Sequence, residues 1–395
     1  MNIRNIYVIM ALLAFMACDR QRNVETTPWG SVVSSDSVML NGNSFTLDDI
    51  QANGELIVLT MTGPDNYYDY HGRGLGTQYL LAEKFAQSLG VSLRVELCRD
   101  TAEMVSRLQA GDGDIIACLL PKGMKGMTAA GVCNEAKSCS WYVDEGNGEL
   151  ATALNKWFDR KLVAKVRKEE DMLFSKKAVT RRVYSPMLNR AGGVISHFDR
   201  YFQQYAPLAR WDWRLVAAQC YQESTFDPQA RSWAGACGLM QIMPKTAEYL
   251  GLPMGDIFNP EKNIEAACRY LAELNGKFSD VRDRHERVNF VLASYNGGIL
   301  HIRDAMALAE KNGKNKHRWA EVSQYVLGLA KPQYYNDPVV KYGYMRGSET
   351  VDYVQRINAR YDEYRGVARG TGGFTPFGGG SQSPRKSERK NRFEV

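Results

Sequence analysis

One glutamate in this sequence is positioned to act as an acid catalyst. A predicted helix carries an apolar stripe made of Trp213, Val216, Ala217, Cys220 and Ser224. Glu223 lies at the edge of this stripe, and Asp227-Pro228 follows; proline disfavours helix in the preceding residue, so the last turn faces a loop or cleft. Partial burial raises a carboxyl pKa and retains the proton that a general acid needs. A lone glutamate at a helix end is usually solvated, so this assignment depends on its neighbours.

A glycine-containing turn comes next along the chain. Gly235 and Gly238 permit a tight turn, and Pro244 suits the first turn of the following helix. Met240 and Gln241 are therefore predicted on a short rigid connection. The amide of Gln241 offers both a donor and an acceptor, which suits a polar ligand.

A third polar pair lies near the end of another predicted helix. Tyr295 shares a helical stripe with Val288 and Leu292, so core packing is one interpretation of it. Asn296 directly precedes two glycines, so it is interpreted either as a helix cap or as a ligand-binding residue.

The order and spacing of these motifs resemble the catalytic domain of soluble-type lytic transglycosylases, which has a lysozyme-like fold. The matching motifs are Glu-Ser-Thr-Phe-Asp-Pro at 223–228, Gly-Leu-Met-Gln at 238–241 and Ala-Ser-Tyr-Asn-Gly-Gly at 293–298. The segments at 343–350 and 353–357 resemble that family's closing helix. The resemblance implies that Glu223 is the catalytic residue and that the substrate-binding residues are Ser224, Met240, Gln241, Tyr295, Asn296 and Tyr353.

Three of these roles have alternatives. By resemblance Met240 lines the saccharide groove, but a buried methionine that fills a gap is an equal interpretation. The resemblance directs the Tyr295 hydroxyl to the catalytic glutamate or to substrate. For Tyr353 the sequence does not decide between core and cleft.

The number of motif carboxylates bears on the reaction. Ordinary glycosidases need two, whereas these motifs supply one, because Asp227 belongs to a turn and is interpreted as a local cap. The family's route implies that Glu223 protonates the glycosidic oxygen of peptidoglycan and then acts as base, closing a 1,6-anhydro ring on muramic acid. A hydrolytic muramidase and a silent wall-binding or sensing protein are the alternatives, and Asp304 or Glu349 could supply a second carboxylate.

The first half of the chain has the pattern of an α/β lobe. Apolar runs at 56–61, 91–97 and 114–119 are predicted strands, and helices are predicted at 82–89 and 101–108. This β-α-β-α-β order favours a parallel sheet with right-handed crossovers.

The glycine loop at 72–77 lacks the third glycine of a dinucleotide fingerprint. Together with 54–56 and 108–114, it makes this region similar to the first lobe of type II periplasmic solute-binding domains. That family has a second lobe at this point of the chain, whereas this sequence has only residues 121–140. Two-lobed domains enclose their ligand between the lobes, so the missing lobe puts ligand binding in doubt. The combined order resembles the membrane-bound F-type transglycosylases over most of 54–362.

The predicted architecture is therefore multidomain, with an α/β single lobe followed by a mainly helical, lysozyme-like domain. The predicted boundaries are a lipoprotein signal peptide at 1–18, a tether at 19–47, the solute-binding-like lobe at 48–165, a linker at 166–194, the catalytic domain at 195–366 and a disordered Gly-rich basic tail at 367–395.

The N-terminus indicates export. An apolar run at 6–17 is too short to span a bilayer, and Phe15-Met16-Ala17-Cys18 resembles a lipobox whose Cys18 would carry the lipid anchor. An ordinary signal peptide with an incidental cysteine is the alternative. The expected location is the periplasm-facing envelope, lipid-anchored at the outer membrane, with peptidoglycan glycan strands and the membrane as partners.

Net charge, histidine spacing and cysteine count bear on nucleic-acid partners, metal sites and disulfides. The formal net charge of +6 has no concentrated basic patch outside the tail, so we predict no nucleic-acid partner. The five histidines form no metal motif, so we predict no catalytic metal and no other cofactor. Seven cysteines besides Cys18 cannot all pair within the chain, and Cys133 with Cys139 is the expected bridge.

Overall fold

The computed structural model describes residues 45–174 and 179–367. The predicted signal peptide, Cys18, most of the tether and the tail beyond 367 lie outside the described residues. Within the described ranges, no helix is both long enough and apolar enough to cross a bilayer.

The chain forms an α/β lobe followed by a mainly helical region, which confirms the predicted fold class. The strands are β1 Glu55–Thr60, β2 Tyr68–Tyr70, β3 Arg73–Leu75, β4 Ser92–Leu97, β5 Ile115–Pro121, β6 Met127–Cys133, β7 Cys139–Asp144, β8 Val179–Thr180 and β9 Arg231–Ser232. The lobe's helices are α1 Leu47–Asn53, α2 Thr77–Leu89, α3 Thr101–Ala110, α4 Gly148–Trp157 and α5 Arg160–Leu173. Those of the helical region are α6 Asp199–Tyr205, α7 Trp213–Ser224, α8 Pro244–Tyr249, α9 Pro260–Lys277, α10 Arg284–Gly297, α11 Ile299–Lys311, α12 Trp319–Gly328, α13 Pro332–Tyr335 and α14 Gly347–Val367, with 3-10 turns at Ala206–Ala209 and Met254–Asp256.

The lobe is built on a five-stranded sheet of order β4-β1-β5-β7-β6. Strand β1 pairs in parallel with β4 and β5, as the β-α-β-α-β pattern predicts. Strand β7 runs antiparallel to both β5 and β6. Helices cover the sheet because its residues are apolar on both faces; Phe85 of α2 and Trp141 of β7 are fully buried in one cluster, and Met104 of α3 and Tyr142 of β7 in another.

The lobe begins close to its predicted start and ends beyond its predicted end. Helix α1 begins at Leu47, one residue before the predicted start at 48, and Thr46 and Asp49 form a reciprocal capping box there. Helix α5 continues past residue 165 to Leu173, because Val166 and Leu173 are buried in the lobe's core. The stretch predicted as the start of the linker is therefore helical and packed.

The segment 121–140 contains β6 and the start of β7, which pair as a hairpin, and its two cysteines do not bridge. Cys133 and Cys139 are both free thiols. Cys133 stands opposite Ser140 in the hairpin register. Adjacent residues of a strand point to opposite faces, so Cys139 points away from Cys133 and the expected disulfide is wrong.

The helical region encloses one large apolar core. Helix α7 lies in its middle and packs against α6 and α14, and its residues Val216, Ala217 and Cys220 are fully buried. Helix α14 also packs against α10 and α12. These contacts hold the C-terminal end of α7 between distant parts of the chain.

The lobe packs directly on the helical region. The backbone N–H of Tyr344 donates to Thr62 Oγ1 at 2.8 Å, and the Tyr344 ring meets Tyr68 edge to face with centroids 5.0 Å apart. The Tyr68 hydroxyl in turn donates to Glu170 of α5 at 2.8 Å. The segment before α14 is thus fixed against the β2–β3 side of the lobe.

Candidate active site

Glu223 occupies the last turn of α7, as the sequence predicts. The helix begins after Asp212, whose side chain accepts from the Arg214 backbone N–H, and ends at Ser224. Thr225 and Phe226 both have positive φ, 52° and 62°, which reverses the chain sharply. Non-glycine residues rarely adopt this conformation, and its occurrence twice in succession requires support from surrounding contacts.

That support comes from residues 179–182, in the predicted linker. Strand β8 pairs with β9, and Arg181 Nη1 donates to the Glu223 backbone carbonyl at 2.9 Å. The Arg182 backbone bonds twice: its N–H donates to Asp227 Oδ2 at 2.6 Å and its carbonyl accepts from Thr225 Oγ1 at 2.9 Å. The linker therefore closes over the end of the helix.

Asp227 has the capping role inferred for it. Its Oδ1 accepts from the Gln229 backbone N–H at 3.0 Å, while Oδ2 binds the Arg182 N–H. Both carboxylate oxygens are engaged by backbone donors within a buried turn. Asp227 is thereby kept apart from the cleft that Glu223 faces.

The Glu223 carboxyl is held by a tyrosine from the closing helix. The Tyr353 hydroxyl on α14 donates to Glu223 Oε1 at 2.5 Å and accepts from Gln219 Nε2 at 3.1 Å. Gln219 is fully buried one turn before Glu223 on α7, and the Tyr353 side chain is 5% exposed. Tyr353 therefore belongs to both core and cleft: its ring is packed and its hydroxyl orients the carboxyl.

Burial raises the pKa of Glu223 from its ordinary 4.5 to about 7. The hydrogen bond from Tyr353 and the charge of Arg181 act in the opposite direction, because both stabilise the carboxylate, while nearby Glu349 adds to the rise. At neutral pH a large fraction of Glu223 is protonated. A carboxyl in this condition can give a proton to a substrate and later take one back.

The glycine-containing turn is as tight as predicted. Gly238 has φ of 78°, and a Cβ there would lie 2.6 Å from Asn263 Nδ2 and 2.8 Å from the Ile257 carbonyl oxygen. Gln241 itself has φ of 48°. Its Nε2 donates to the carbonyls of Ala230 and Gly238 at 3.2 and 2.9 Å, leaving Oε1 without a hydrogen-bond partner among the described residues. The donors of Gln241 are thus used within the turn, and its Oε1 is a buried acceptor behind the cleft wall.

The Tyr295 hydroxyl bonds a backbone carbonyl, whereas the resemblance directed it to the catalytic glutamate or to substrate. The hydroxyl donates to the Met240 carbonyl at 2.8 Å and so fixes the Gln241 turn, whereas Tyr353 is the tyrosine that bonds Glu223. Asn296 lies in the last turn of α10 and accepts from Thr350 Oγ1 of α14 at 2.7 Å. This contact leaves the Asn296 amide donors for other partners.

These residues meet in a cleft of about 1460 Å³. Of the predicted site residues, its wall contains Glu223, Gln241, Tyr295, Asn296 and Tyr353. Ser224 and Met240 do not reach it: both are fully buried, and Ser224 Oγ donates to the Cys220 carbonyl at 3.2 Å. For Met240 the structure supports the gap-filling alternative, because the turn presents its neighbour Gln241 instead.

The cleft wall also contains acidic residues outside the motifs, namely Asp69, Glu349 and Asp352. Glu349 accepts from the Tyr70 hydroxyl of the lobe at 2.7 Å. Asp304, the other residue considered as a second carboxylate, is buried and accepts from the Lys341 and Tyr342 backbone N–H groups. Within the described ranges, no group of three or more histidine, cysteine or acidic residues could hold a metal ion.

Sequence reasoning missed Arg181, Gln219 and the lobe residues at the cleft. Gln219 carried a signal, since it lies four positions before Glu223 and shares its helix face. Arg181 belongs to a charged stretch with no distinguishing pattern. The lobe's contribution depends on how two distant parts of the chain pack.

The chain is similar in sequence to known lytic transglycosylases. The Transglycosylase SLT domain model matches residues 200–318. The chain is 28% identical to the membrane-bound lytic murein transglycosylase F of Desulfosudis oleivorans, an alignment covering 79% of this chain and 90% of that protein. It is also 28% identical to the protein of the same name from Marinobacter nauticus, covering 80% and 83% of the two chains. Among solved structures, the soluble lytic transglycosylase SLT70 of Escherichia coli aligns at 24% identity with a TM-score of 0.29, covering 44% of this chain and 24% of that one.

Proposed function

We propose that this chain, which is similar to the membrane-bound lytic murein transglycosylases F, cleaves the β-1,4 bond between N-acetylmuramic acid and N-acetylglucosamine in peptidoglycan, leaving 1,6-anhydro-muramic ends. The observation that carries the proposal is the Glu223 carboxyl: half-buried in a large cleft, oriented by Tyr353, with a pKa of about 7. One group in this condition can serve both proton transfers of the reaction.

In the first step, protonated Glu223 gives its proton to the glycosidic oxygen, and the bond from that oxygen to muramic C1 breaks. The substrate's own acetamide stabilises the positive charge that develops at C1. Glu223, now a carboxylate, then takes the proton from the muramic C6 hydroxyl. The C6 oxygen attacks C1 and closes the anhydro ring, so no water is consumed and the carboxyl is restored.

The remaining residues support binding. Gln241 lines the cleft on a turn that fixes its side chain, and the Asn296 amide supplies donors. Each is fixed by contacts to backbone or to a neighbouring helix. We infer from this preorganisation that both bind the glycan strand.

Substitution of Glu223 by glutamine tests the assignment. Glutamine keeps the size of the side chain but supplies no ionisable proton, so cleavage of purified peptidoglycan should fall by about 10³–10⁴-fold. Glu248→Gln is the matched control, because Glu248 is an exposed glutamate of the same domain. Substantial turnover by the Glu223→Gln protein would overturn the assignment.

A hydrolytic muramidase is the second candidate, because Glu349 and Asp352 also line the cleft and could direct a water molecule. Mass analysis of the released fragments separates the two reactions. Transglycosylase products end in 1,6-anhydro-muramic acid and are lighter by one water. Reducing muramic ends carrying solvent oxygen at C1, together with loss of activity in Glu349→Gln, would instead establish a hydrolase.

A catalytically inactive protein that only binds the cell wall is the third alternative. It predicts that wild-type protein binds sacculi but releases no fragments from them. The raised pKa of Glu223 argues against it, since a binding surface gains nothing from burying an ionisable carboxyl. The digestion experiment decides this alternative as well.

For location, we propose a periplasm-facing envelope enzyme anchored by lipid on Cys18, at the outer membrane, with the lobe extended to Leu173 and the other domain boundaries as predicted. The names of the homologues as membrane-bound proteins support an envelope location. Mass spectrometry of the mature N-terminus would reveal acyl chains on Cys18. A Cys18→Ala protein that still fractionates with the outer membrane would contradict the anchor.

A further inference from the structure

A hairpin of the α/β lobe enters the catalytic cleft. Strands β2 and β3 pair with Tyr68 opposite Leu75 and Tyr70 opposite Arg73, which leaves His71 and Gly72 as the two residues of the turn. These turn residues line the cleft that contains Glu223. The lobe therefore contributes directly to the wall of the site.

The turn places a histidine where asparagine or glycine is usual. His71 and Gly72 have φ of 52° and 75°, the conformation of a two-residue hairpin turn with both central residues left-handed. The Gly72 N–H bonds Asp69 Oδ1 at 3.0 Å and helps to hold this shape. A bulky residue in a strained conformation at a cleft is a recurrent feature of functional sites.

Two contacts fix the hairpin to the helical region. The Tyr70 hydroxyl donates to Glu349 Oε1 on α14 at 2.7 Å. The Arg73 guanidinium lies over the Trp233 ring, 4.5 Å from its centroid, in the segment between β9 and α8. Trp233 and Glu349 both line the cleft. The hairpin therefore contacts two separate parts of the cleft wall, the β9–α8 segment and helix α14.

The chemistry of the hairpin suits sugar residues. Burial lowers the pKa of His71, so at neutral pH its ring is uncharged and offers one donor and one acceptor. Arg73 adds donors, and the partly exposed Trp233 ring beside it offers a flat apolar face. Hydroxyl and acetamide groups with an apolar sugar face are complementary to this set.

We propose that the β2–β3 hairpin forms part of the glycan-binding groove, and that His71 and Arg73 are specificity-determining residues that contact sugar units away from the cleaved bond. This inference rests on the proposed function. It gives the single lobe a role in substrate binding that requires no second lobe, because the helical region supplies the opposing surface.

The test compares soluble glycan strands of two lengths, a tetrasaccharide and a strand of about ten sugars, with the full chain in detergent. The variants are His71→Gly, which removes the side chain at a position that glycine favours, and Arg73→Leu. Loss of one or two hydrogen bonds should raise KM for the long strand about threefold to tenfold. The value of kcat and the KM for the tetrasaccharide should change by less than about twofold, since the contacts lie away from the bond that breaks.

Arg99→Leu is the matched control, because Arg99 is an arginine of the same lobe with an 89% exposed side chain. Unchanged KM for the long strand in His71→Gly would overturn the proposal. So would an increase in kcat/KM, which would show that the hairpin obstructs the cleft. If Arg73→Leu also lowers the melting temperature, its effect is assigned to lost packing on Trp233, and His71→Gly decides.

The two proposals fail in different ways. A wild-type protein that releases no fragments from any strand refutes the proposed function. A wild-type protein that cleaves both strands, while His71→Gly cleaves them with the wild-type length dependence, refutes only the role of the hairpin.

Discussion

The Tyr353 hydroxyl and the Glu223 carboxyl, 130 positions apart in sequence, share a 2.5 Å hydrogen bond. The tyrosine donates, so the bond stabilises the ionised carboxylate and partly offsets the effect of burial. It also fixes the direction in which the carboxyl faces the cleft. This one hydrogen bond thus affects both the pKa of the proposed acid and the orientation of its carboxyl group.

The first prediction concerns the pH dependence of cleavage. Glu223 must be protonated to start the reaction, and its pKa is about 7, so kcat/KM should decrease as pH rises through about 7. An ordinary glutamate would lose its proton near 4.5 and show this loss far lower. A profile with no decrease between pH 6 and 9 would contradict the role of Glu223 as the acid.

The second prediction concerns the basic limb of the pH profile, which is the decrease in kcat/KM above about pH 7. Tyr353→Phe should move this limb to higher pH by about one unit, since a hydrogen bond to the carboxylate is lost. It should also lower kcat about tenfold or more, because the carboxyl loses its orientation. Tyr364→Phe is the control: Tyr364 lies on the same helix, but its hydroxyl bonds the Pro186 carbonyl. An unshifted limb in Tyr353→Phe would mean that the bond does not set the Glu223 pKa.

The third prediction is a pH-dependent change in stability. The folded protein holds the Glu223 proton more tightly than the unfolded chain, with a pKa of about 7 against 4.5. The free energy of unfolding contributed by this group is therefore full below pH 4.5 and decreases as pH rises toward 7, by at most about 3 kcal/mol. Glu223→Gln cannot ionise, so its melting temperature relative to wild type should be higher at pH 8 than at pH 5.

Glu248→Gln serves as the reference for this measurement, because the same substitution at an exposed site should give an offset independent of pH. Equal offsets for Glu223→Gln at pH 5 and pH 8 would show that the carboxyl ionises alike in both states. That result would remove the basis for a raised pKa.

The fourth prediction is that Arg181, and not its neighbour Arg182, affects the pKa of Glu223. Arg181 bonds the Glu223 carbonyl through its side chain and lowers the Glu223 pKa, whereas the two bonds of Arg182 come from its backbone. Arg181→Gln should therefore move the basic limb upward, by only a few tenths of a unit because the side chain is exposed. Arg182→Gln should leave it in place. Identical profiles for the two variants would contradict a specific role for Arg181.

The fifth prediction is that the protein binds no free amino acid with micromolar affinity. The described lobe has one five-stranded sheet, its helices and the β2–β3 hairpin, but no second lobe to enclose a small ligand as a two-lobed domain does. Calorimetry of the full chain with amino acids and with muropeptides tests this. Saturable micromolar binding of an amino acid would show that the lobe retains a pocket of its own.

The sequence alone determined the features that depend on local pattern. The stripe on α7 and the Asp227-Pro228 step placed Glu223 in the last helical turn, because helix period and proline sterics act over a few residues. The β-α-β-α-β order likewise predicted a parallel sheet, and β1 pairs in parallel with β4 and β5. The same local signals predicted Gln241 on a tight turn.

Only the tertiary structure decided which distant groups meet. The packing of α14 against α7 brings Tyr353 to Glu223, and β8 brings Arg181 to the end of that helix. The sequence left Met240 open between groove and core, and it gave no sign that the His71 turn lines the cleft. Residue type and spacing set local conformation, but contacts across more than a hundred positions depend on how complete elements bury their apolar faces against one another.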